Sequence, residues 1–150
     1  MQKEILQQTK IGYSIAKAGL LSRIFAIQSL SSCPITPEQY TVLGVLVSHG
    51  AVYQREISAI TLKDRANVTR ILNILEKLEC ITKKTEVNGK KIYKIYITEK
   101  GEKIYRETQP LILKVWEEST KGLTEEELLM CSKILQKITD NIKDKVNIQI

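Results

Sequence analysis

The spacing of apolar residues predicts a mainly helical chain with one β-hairpin. Residues 3–30 carry apolar side chains at steps of three and four, as expected for a helix with one packed face. The sequence Thr36-Pro37-Glu38-Gln39 supplies the hydroxyl, the proline and the glutamine of a capped helix start, and Gly50 is suited to end that helix. Further helices are predicted over about 54–62, 65–79, 99–119 and 125–142.

Two of these helices are short and adjacent, which predicts a helix-turn-helix. Asp64 is suited to cap the helix at 65–79, whose apolar stripe must face the core. The opposite face lacks the acidic residues of an ordinary salt-bridged surface and consists of Ala66, Asn67, Thr69, Arg70, Asn73 and Lys77. Amide, hydroxyl and guanidinium groups of this kind hydrogen-bond to base edges and phosphates in a DNA major groove.

Residues 81–98 are rich in β-branched and aromatic side chains around Asn88-Gly89, a strong signal for a hairpin turn. With a two-residue turn, Lys83 pairs with Lys94, and both lysines share a face with Lys90. Opposed lysines repel slightly, and a nearby polyanion would relieve that repulsion. The alternative is an edge hairpin that its lysines protect from aggregation.

The C-terminal part of the chain is also helical by pattern. Pro110 is predicted to kink or interrupt the helix at 99–119. The last helix begins with a capping box at Thr124 and Glu127, and its apolar positions are Leu128, Cys131, Leu135, Ile138 and Ile142. This spacing is typical of a coiled coil. Apolar stripes at both ends of the chain indicate that the terminal helices meet a second chain.

Composition and charge indicate which class of protein the chain belongs to. A chain of 150 residues with 43% hydrophobic and 27% charged residues is typical of one globular domain. It shows neither the roughly 20-residue apolar run of a membrane span nor a secretory signal, so we expect a cytoplasmic protein with no membrane partner. The net charge is +6. Its excess is concentrated in residues 65–98, as expected for a phosphate-binding surface, although a solvated lysine surface is the alternative.

The inventory of reactive side chains is small. Three unevenly spaced cysteines and one histidine fit neither a disulfide framework nor a zinc site, so we expect no metal, no cofactor and no enzymatic activity. Cys80 and Cys131 lie on or beside apolar stripes and are expected to be buried. Cys33, in a polar loop before Pro34, is the candidate redox thiol. His49 is expected to interact with the dipole at the C-terminus of its helix.

The order helix, helix, helix, basic hairpin, helix resembles the multiple antibiotic resistance regulator (MarR) family of bacterial transcription factors. The resemblance is carried by residues 36–43 (TPEQYTVL), by 67–77 (NVTRILNILEK) and by 97–101 (ITEKG). It implies a mainly α fold with a small β-hairpin wing, a winged helix-turn-helix. Residues 1–150 would form a single regulator domain, with dimerisation helices at about 3–30 and 104–147 and a DNA-binding lobe at about 36–100.

The resemblance further implies a homodimer that binds a pseudo-palindromic site in double-stranded DNA. By position, the recognition helix would contact DNA through Arg65, Asn67, Thr69, Arg70 and Asn73. The wing would contribute Lys83, Lys90, Lys91 and Lys94, with Lys90 and Lys91 at its tip. Two features depart from the family pattern: the tight Asn88-Gly89 turn replaces a longer wing loop, and Glu79-Cys80 replaces a glycine after the recognition helix.

Family resemblance also implies a crevice for a small aromatic or lipophilic effector, for which Tyr13, Tyr40 and Trp116 are the candidate residues. Aromatic residues at helical spacing serve as core just as readily. The alternative function is a winged-helix protein-interaction module whose basic hairpin binds an acidic partner. In that case Asn67, Arg70 and Asn73 would be dispensable.

Overall fold

The computed structural model describes residues 2–85 and 93–146, with side chains from Leu6 onward. Within these ranges the predicted fold class is confirmed: a mainly α protein with a small antiparallel sheet. The helices are α1 (Gln2–Ser29), α2 (Pro37–His49), α3 (Gln54–Thr61), α4 (Arg65–Lys77), α5 (Glu99–Ser119) and α6 (Glu125–Ile142). The strands are β1 (Val52–Tyr53), β2 (Ile81–Thr85) and β3 (Tyr93–Ile97). Among the described residues, no helix is long and apolar enough to cross a membrane.

Helix starts follow the predicted caps. Thr36 Oγ1 accepts a hydrogen bond from Gln39 N at 3.3 Å, and Gln39 Oε1 accepts one from Thr36 N at 2.9 Å. Asp64 Oδ1 likewise accepts from Asn67 N at 2.8 Å and so begins α4. Each such cap stabilises its helix by about 1 kcal/mol.

Pro110 lies inside α5, which is one helix from Glu99 to Ser119, so the predicted interruption is wrong, whereas the alternative, a kink, stays a prediction. Proline removes the N–H group that would bond to the carbonyl of Arg106. Both residues are exposed, and water can therefore satisfy that carbonyl.

The recognition helix α4 ends in a Schellman motif, slightly earlier than predicted. Cys80 N donates to the carbonyl of Leu75 at 2.9 Å, and Glu79 N donates to the carbonyl of Glu76 at 2.9 Å. Glu79 takes the left-handed conformation, with φ of 60°, that glycine adopts without strain. The absence of glycine here therefore leaves a strained residue at the helix end, at a cost of about 1 kcal/mol, and does not lengthen the helix.

The strands are ordered β1-β3-β2 and are all antiparallel. Lys84, not Lys83, lies opposite Lys94, so the predicted register is wrong by one residue. A shift of one residue turns every side chain of a strand to the other face. Ile81 and Ile95 are both fully buried, and only the observed register places them on the same face. The predicted Asn88-Gly89 turn lies outside the described residues.

The hydrophobic core lies beneath the helix-turn-helix. Its largest fully buried side chains include Leu43, Leu46, Ile57, Ile71, Leu72, Leu75, Ile81 and Ile95. Gly101 packs against the backbone of Cys80, whose carbonyl accepts a hydrogen bond from Thr98 N at 3.0 Å. This contact fixes the start of α5 against the end of α4.

The terminal helices leave most of their apolar side chains exposed. In the described part of α1 only Ala26 is buried, and α6 has no buried residue among those described. Exposed apolar side chains on these helices include Ile11, Leu20, Leu21, Ile24, Leu128, Leu129, Ile134, Leu135 and Ile142. A patch of this extent marks an interaction surface. Cys131 lies on α6 and is exposed in the single chain, so its predicted burial is wrong there, because α6 buries none of its described residues within the subunit.

Candidate nucleic-acid interface

The helix α4 has one buried face and one polar face. Its buried residues are Val68, Ile71, Leu72 and Leu75. At 100° per residue, Asn73 lies opposite that stripe, with Thr69 and Arg70 on either side of it. All three are exposed, Arg65 is exposed at the helix start, and Asn67 is half-buried at the edge of the polar face. Four of the five predicted recognition residues are therefore exposed on α4, and the fifth, Asn67, lies at the edge of its polar face.

The start of α3 is hydrogen-bonded to this polar face through Gln54. Gln54 Nε2 donates to Thr69 Oγ1 at 2.7 Å and to the carbonyl of Arg65 at 3.4 Å. Thr69 Oγ1 in turn donates to the same carbonyl at 2.8 Å. Sequence reasoning missed Gln54, because a single polar residue at a helix start gives no periodic signal. Its role is to hold the two helices of the motif together.

The carboxylate of Glu38, in α2, forms ion pairs with three cationic side chains beside the recognition helix. Glu38 accepts from Arg70 Nη2 at 3.4 Å and from Arg23 Nη2 at 3.2 Å, and Lys63 Nζ lies 3.6 Å away. Arg70 Nη2 also donates to Asn67 Oδ1 at 2.9 Å. One negative charge against three positive ones leaves the cluster cationic. Exposed ion pairs contribute about 0–1 kcal/mol, so DNA can compete with Glu38 for Arg70.

Lys83 joins the wing to the recognition helix. Its Nζ donates to Asn73 Oδ1 and to Glu76 Oε2, both at 2.7 Å. The side chain is only 16% exposed. The observed register explains why Lys83 contacts α4: Lys83 lies opposite Ile95, on the sheet face that packs against the helix. The predicted register places Lys83 opposite Lys94 instead.

The outer face of the sheet combines lysines with tyrosines. Lys84 Nζ lies 4.8 Å from the ring centre of Tyr96, and Lys94 Nζ lies 5.7 Å from that of Tyr53. Arg55 Cζ is also 5.7 Å from the Tyr53 ring. Cation–π contacts hold the two opposed lysines over different rings, which reduces their repulsion. Lys90 and Lys91, the predicted wing-tip contacts, lie outside the described residues.

The candidate effector residues lie in different environments. Tyr40 stacks on Tyr105, with ring centres 4.7 Å apart, and burial, together with a hydrogen bond to Tyr105, raises the pKa of the Tyr40 hydroxyl. Tyr13 is 70% exposed and Trp116 is 51% exposed. Among the described residues no ring stacking joins either of them to Tyr40. A shared crevice within one subunit therefore remains a prediction.

The thiols and the histidine differ in exposure. Cys80 is buried as predicted, and burial raises the pKa of its thiol, which keeps it protonated. Cys33 is half-buried in the loop after α1, so the redox assignment remains a prediction. His49 is the last residue of α2, and its Nδ1 lies 3.2 Å from the carbonyl of Val45. Among the described residues no group of acidic, cysteine and histidine side chains could hold a metal ion.

Comparisons with known proteins agree with this geometry. The family model described as "MarR family" matches residues 34–92. The uncharacterized HTH-type transcriptional regulator YybA of Bacillus subtilis is 29% identical over 138 residues, which cover 86% of this chain and 88% of YybA. A protein of unknown function from Listeria innocua is 26% identical, with a TM-score of 0.70 over 95% of this chain and 99% of its own.

Two further solved structures share the fold at lower identity. BpsR of Bordetella bronchiseptica, described with the regulation of its DNA binding by 6-hydroxynicotinic acid, is 18% identical, with a TM-score of 0.81 over 87% of this chain and 98% of its own. A mutant MarR from E. coli complexed with operator DNA is 22% identical, with a TM-score of 0.80 over 88% of this chain and 95% of its own. Residues 34–92 are therefore similar to the MarR family, and the chain shares the winged helix-turn-helix fold of these solved structures.

Proposed function

We propose that the chain is a sequence-specific, DNA-binding transcription regulator that binds a pseudo-palindromic duplex as a homodimer. The observation that carries this proposal is the polar face of α4. It presents Arg65, Thr69, Arg70 and Asn73 to solvent, whereas the acidic Glu38 at its edge is already bound by three cations. A helix of 13 residues with such a face fits the major groove, where arginine and asparagine discriminate between base edges.

The homodimer is supported by the exposed apolar side chains of α1 and α6. Leu128, Ile134 and Leu135 are exposed in the single chain, although their spacing is that of a packed helix. A second copy of the chain would cover them. Two copies related by a twofold axis present two α4 helices to one duplex, which matches a pseudo-palindromic site.

The wing is proposed to contact the DNA backbone. Lys84 and Lys94 lie on the outer face of the sheet, beside Arg55 at the start of α3. Lysines give affinity that depends on salt but carries little sequence information. We propose that Lys90 and Lys91, which lie outside the described residues, also bind DNA phosphates.

An effector would act between the dimer helices and the DNA-binding lobe. BpsR, which shares the fold, is regulated by 6-hydroxynicotinic acid, a small aromatic compound. Tyr40 and Tyr105 lie where α2 meets α5, and Trp116 lies further along α5. We propose a small aromatic effector at this junction, with Tyr13 of α1 as a further contact.

The change Arg70→Ala tests the DNA-binding proposal. We expect affinity for a duplex selected by the wild-type protein to fall about 10- to 100-fold, because a lost arginine contact to a base costs about 1–3 kcal/mol. Binding to a scrambled duplex should fall much less. Fluorescence anisotropy at fixed salt measures both affinities.

The matched control is Arg106→Ala. Arg106 is also an exposed arginine bound to a carboxylate, Glu102, but lies on α5. It should leave the ratio of specific to scrambled binding unchanged. If Arg70→Ala left that ratio unchanged too, the protein-interaction module would become the better account.

A further inference from the structure

We propose that Lys83 and Arg70 engage the amide oxygens of Asn73 and Asn67, so that these residues offer DNA their NH₂ donors more readily than their oxygens, and that the base pairs they contact are read as guanine and not as adenine. The inference rests on the proposed function and specifies the DNA sequence class that the same surface selects. It follows from the partners that occupy the two amide oxygens in the free protein.

The orientation of the Asn73 amide is fixed by chemistry. A lysine ammonium group has three donors and no acceptor. The amide atom 2.7 Å from Lys83 Nζ must therefore be the oxygen, Oδ1. The NH₂ group of this exposed residue is then the end of the amide that does not bind Lys83.

Lys83 itself is held in place. Its side chain is 16% exposed, and its Nζ bonds to Glu76 Oε2 at the same time. It extends from β2, whose first residue, Ile81, is in the core. Rotating the Asn73 amide would bring two donors face to face beside this cation, so the observed orientation is strongly preferred.

The orientation of the Asn67 amide is fixed by the same argument. Arg70 Nη2 lies 2.9 Å from Asn67 Oδ1, and a guanidinium group has donors but no acceptor. The Thr69 hydroxyl, between the two asparagines on the helix, already donates to the carbonyl of Arg65 and accepts from Gln54. The side-chain oxygens of Asn67, Thr69 and Asn73 are therefore all engaged within the protein, which favours their amide N–H groups as partners for DNA.

Guanine and adenine differ in the hydrogen-bonding groups that they present to the polar face of α4. An asparagine that recognises adenine needs both its amide groups, since the oxygen accepts from N6 and the NH₂ donates to N7. Oδ1 has a second lone pair, but an adenine N6 donor that used it would approach the cation already bonded to that oxygen and be repelled by it. Guanine presents two acceptors, N7 and O6, whereas the N6 amino group of adenine would face another donor. Guanine is therefore favoured over adenine at these positions.

The test uses duplexes selected from a random-sequence pool by the full-length wild-type protein and by variants. Asn73→Ala identifies the base pair whose preference depends on Asn73. Lys83→Met then removes the cation that occupies Oδ1. Lys84→Met is the matched control, because Lys84 is the adjacent lysine on the opposite face of β2. Replacing the selected guanine by 7-deazaguanine tests the wild-type protein directly, without depending on the folding of any variant.

We expect guanine at the Asn73-dependent position for the wild-type protein, and weaker binding with 7-deazaguanine. Lys83→Met should raise the preference for adenine over guanine at that position by about 5- to 150-fold, the value of one bidentate contact. Lys84→Met should weaken binding without changing base preference. A selected site with adenine at that position in the wild-type protein would overturn this inference alone. If no sequence were selected at all, both this inference and the proposed function would be wrong.

Discussion

Introducing a charge into the apolar stripe of α6 is expected to separate the homodimer and to weaken DNA binding at least about 100-fold, because two linked half-site contacts become independent events. Leu135→Glu is the sharpest such change, since Leu135 is 44% exposed in the single chain and would be covered in a dimer. A buried, unpaired carboxylate costs several kcal/mol. Light scattering should show a mass close to the 17.1 kDa of one chain.

The control for this experiment is Lys133→Glu. Lys133 lies on the opposite side of α6 from Leu135, so the larger charge change should leave the dimer intact. A Leu135→Glu protein that remained a dimer and kept its affinity would show that the α6 stripe is not the subunit interface.

Replacing Gly101 by alanine is expected to lower the free energy of unfolding by about 3 kcal/mol, the upper range for overpacking of a core. A Cβ at this position would overlap the carbonyl of Cys80 and lie 2.9 Å from Ile97 Cγ1. The backbone of Cys80 cannot move freely, because its N–H closes the end of α4 and its carbonyl binds Thr98 N. Chemical denaturation at fixed protein concentration measures the change.

The matched control for Gly101→Ala is Lys103→Ala, a change two residues further along α5. Lys103 is exposed and, among the described residues, pairs with Glu107 at 3.9 Å (i,i+4), so its loss should change stability by less than about 0.5 kcal/mol. A Gly101→Ala protein as stable as the wild type would mean that the junction between α4 and α5 is looser than the structure indicates.

Local sequence signals predicted the helices well. The capping residues Thr36, Asp64 and Thr124 begin their helices as expected, because a cap depends only on residues within one turn. The apolar stripe of α4 is likewise a local pattern, and it placed the polar face correctly. These features are determined by neighbours in the sequence, and no knowledge of the tertiary fold is needed to find them.

Features that depend on distant residues were not predicted. The two-residue strand β1 is too short to show alternation, and it exists because Val52 pairs with Ile95. The hairpin register depends on burying Ile81 with Ile95, which turn chemistry alone does not reveal.

The contact between Glu38 and Arg70 spans 32 residues of sequence, and the Lys83–Asn73 contact follows from the corrected register. The sequence pattern placed Arg65, Thr69, Arg70 and Asn73 on the exposed face of α4, whereas Gln54 and Glu38 were not predicted. Their hydrogen-bond partners required the fold.

The central claim is that two α4 helices of one dimer lie in successive major grooves on the same side of a duplex. The most direct test measures the affinity of the wild-type protein for its selected pseudo-palindromic duplex and for the same duplex with five base pairs inserted between the half-sites. Five base pairs are about half a turn of DNA and would move one half-site to the opposite side of the double helix. The account predicts a loss of affinity of about 100-fold or more, and equal affinity for the two duplexes would contradict it.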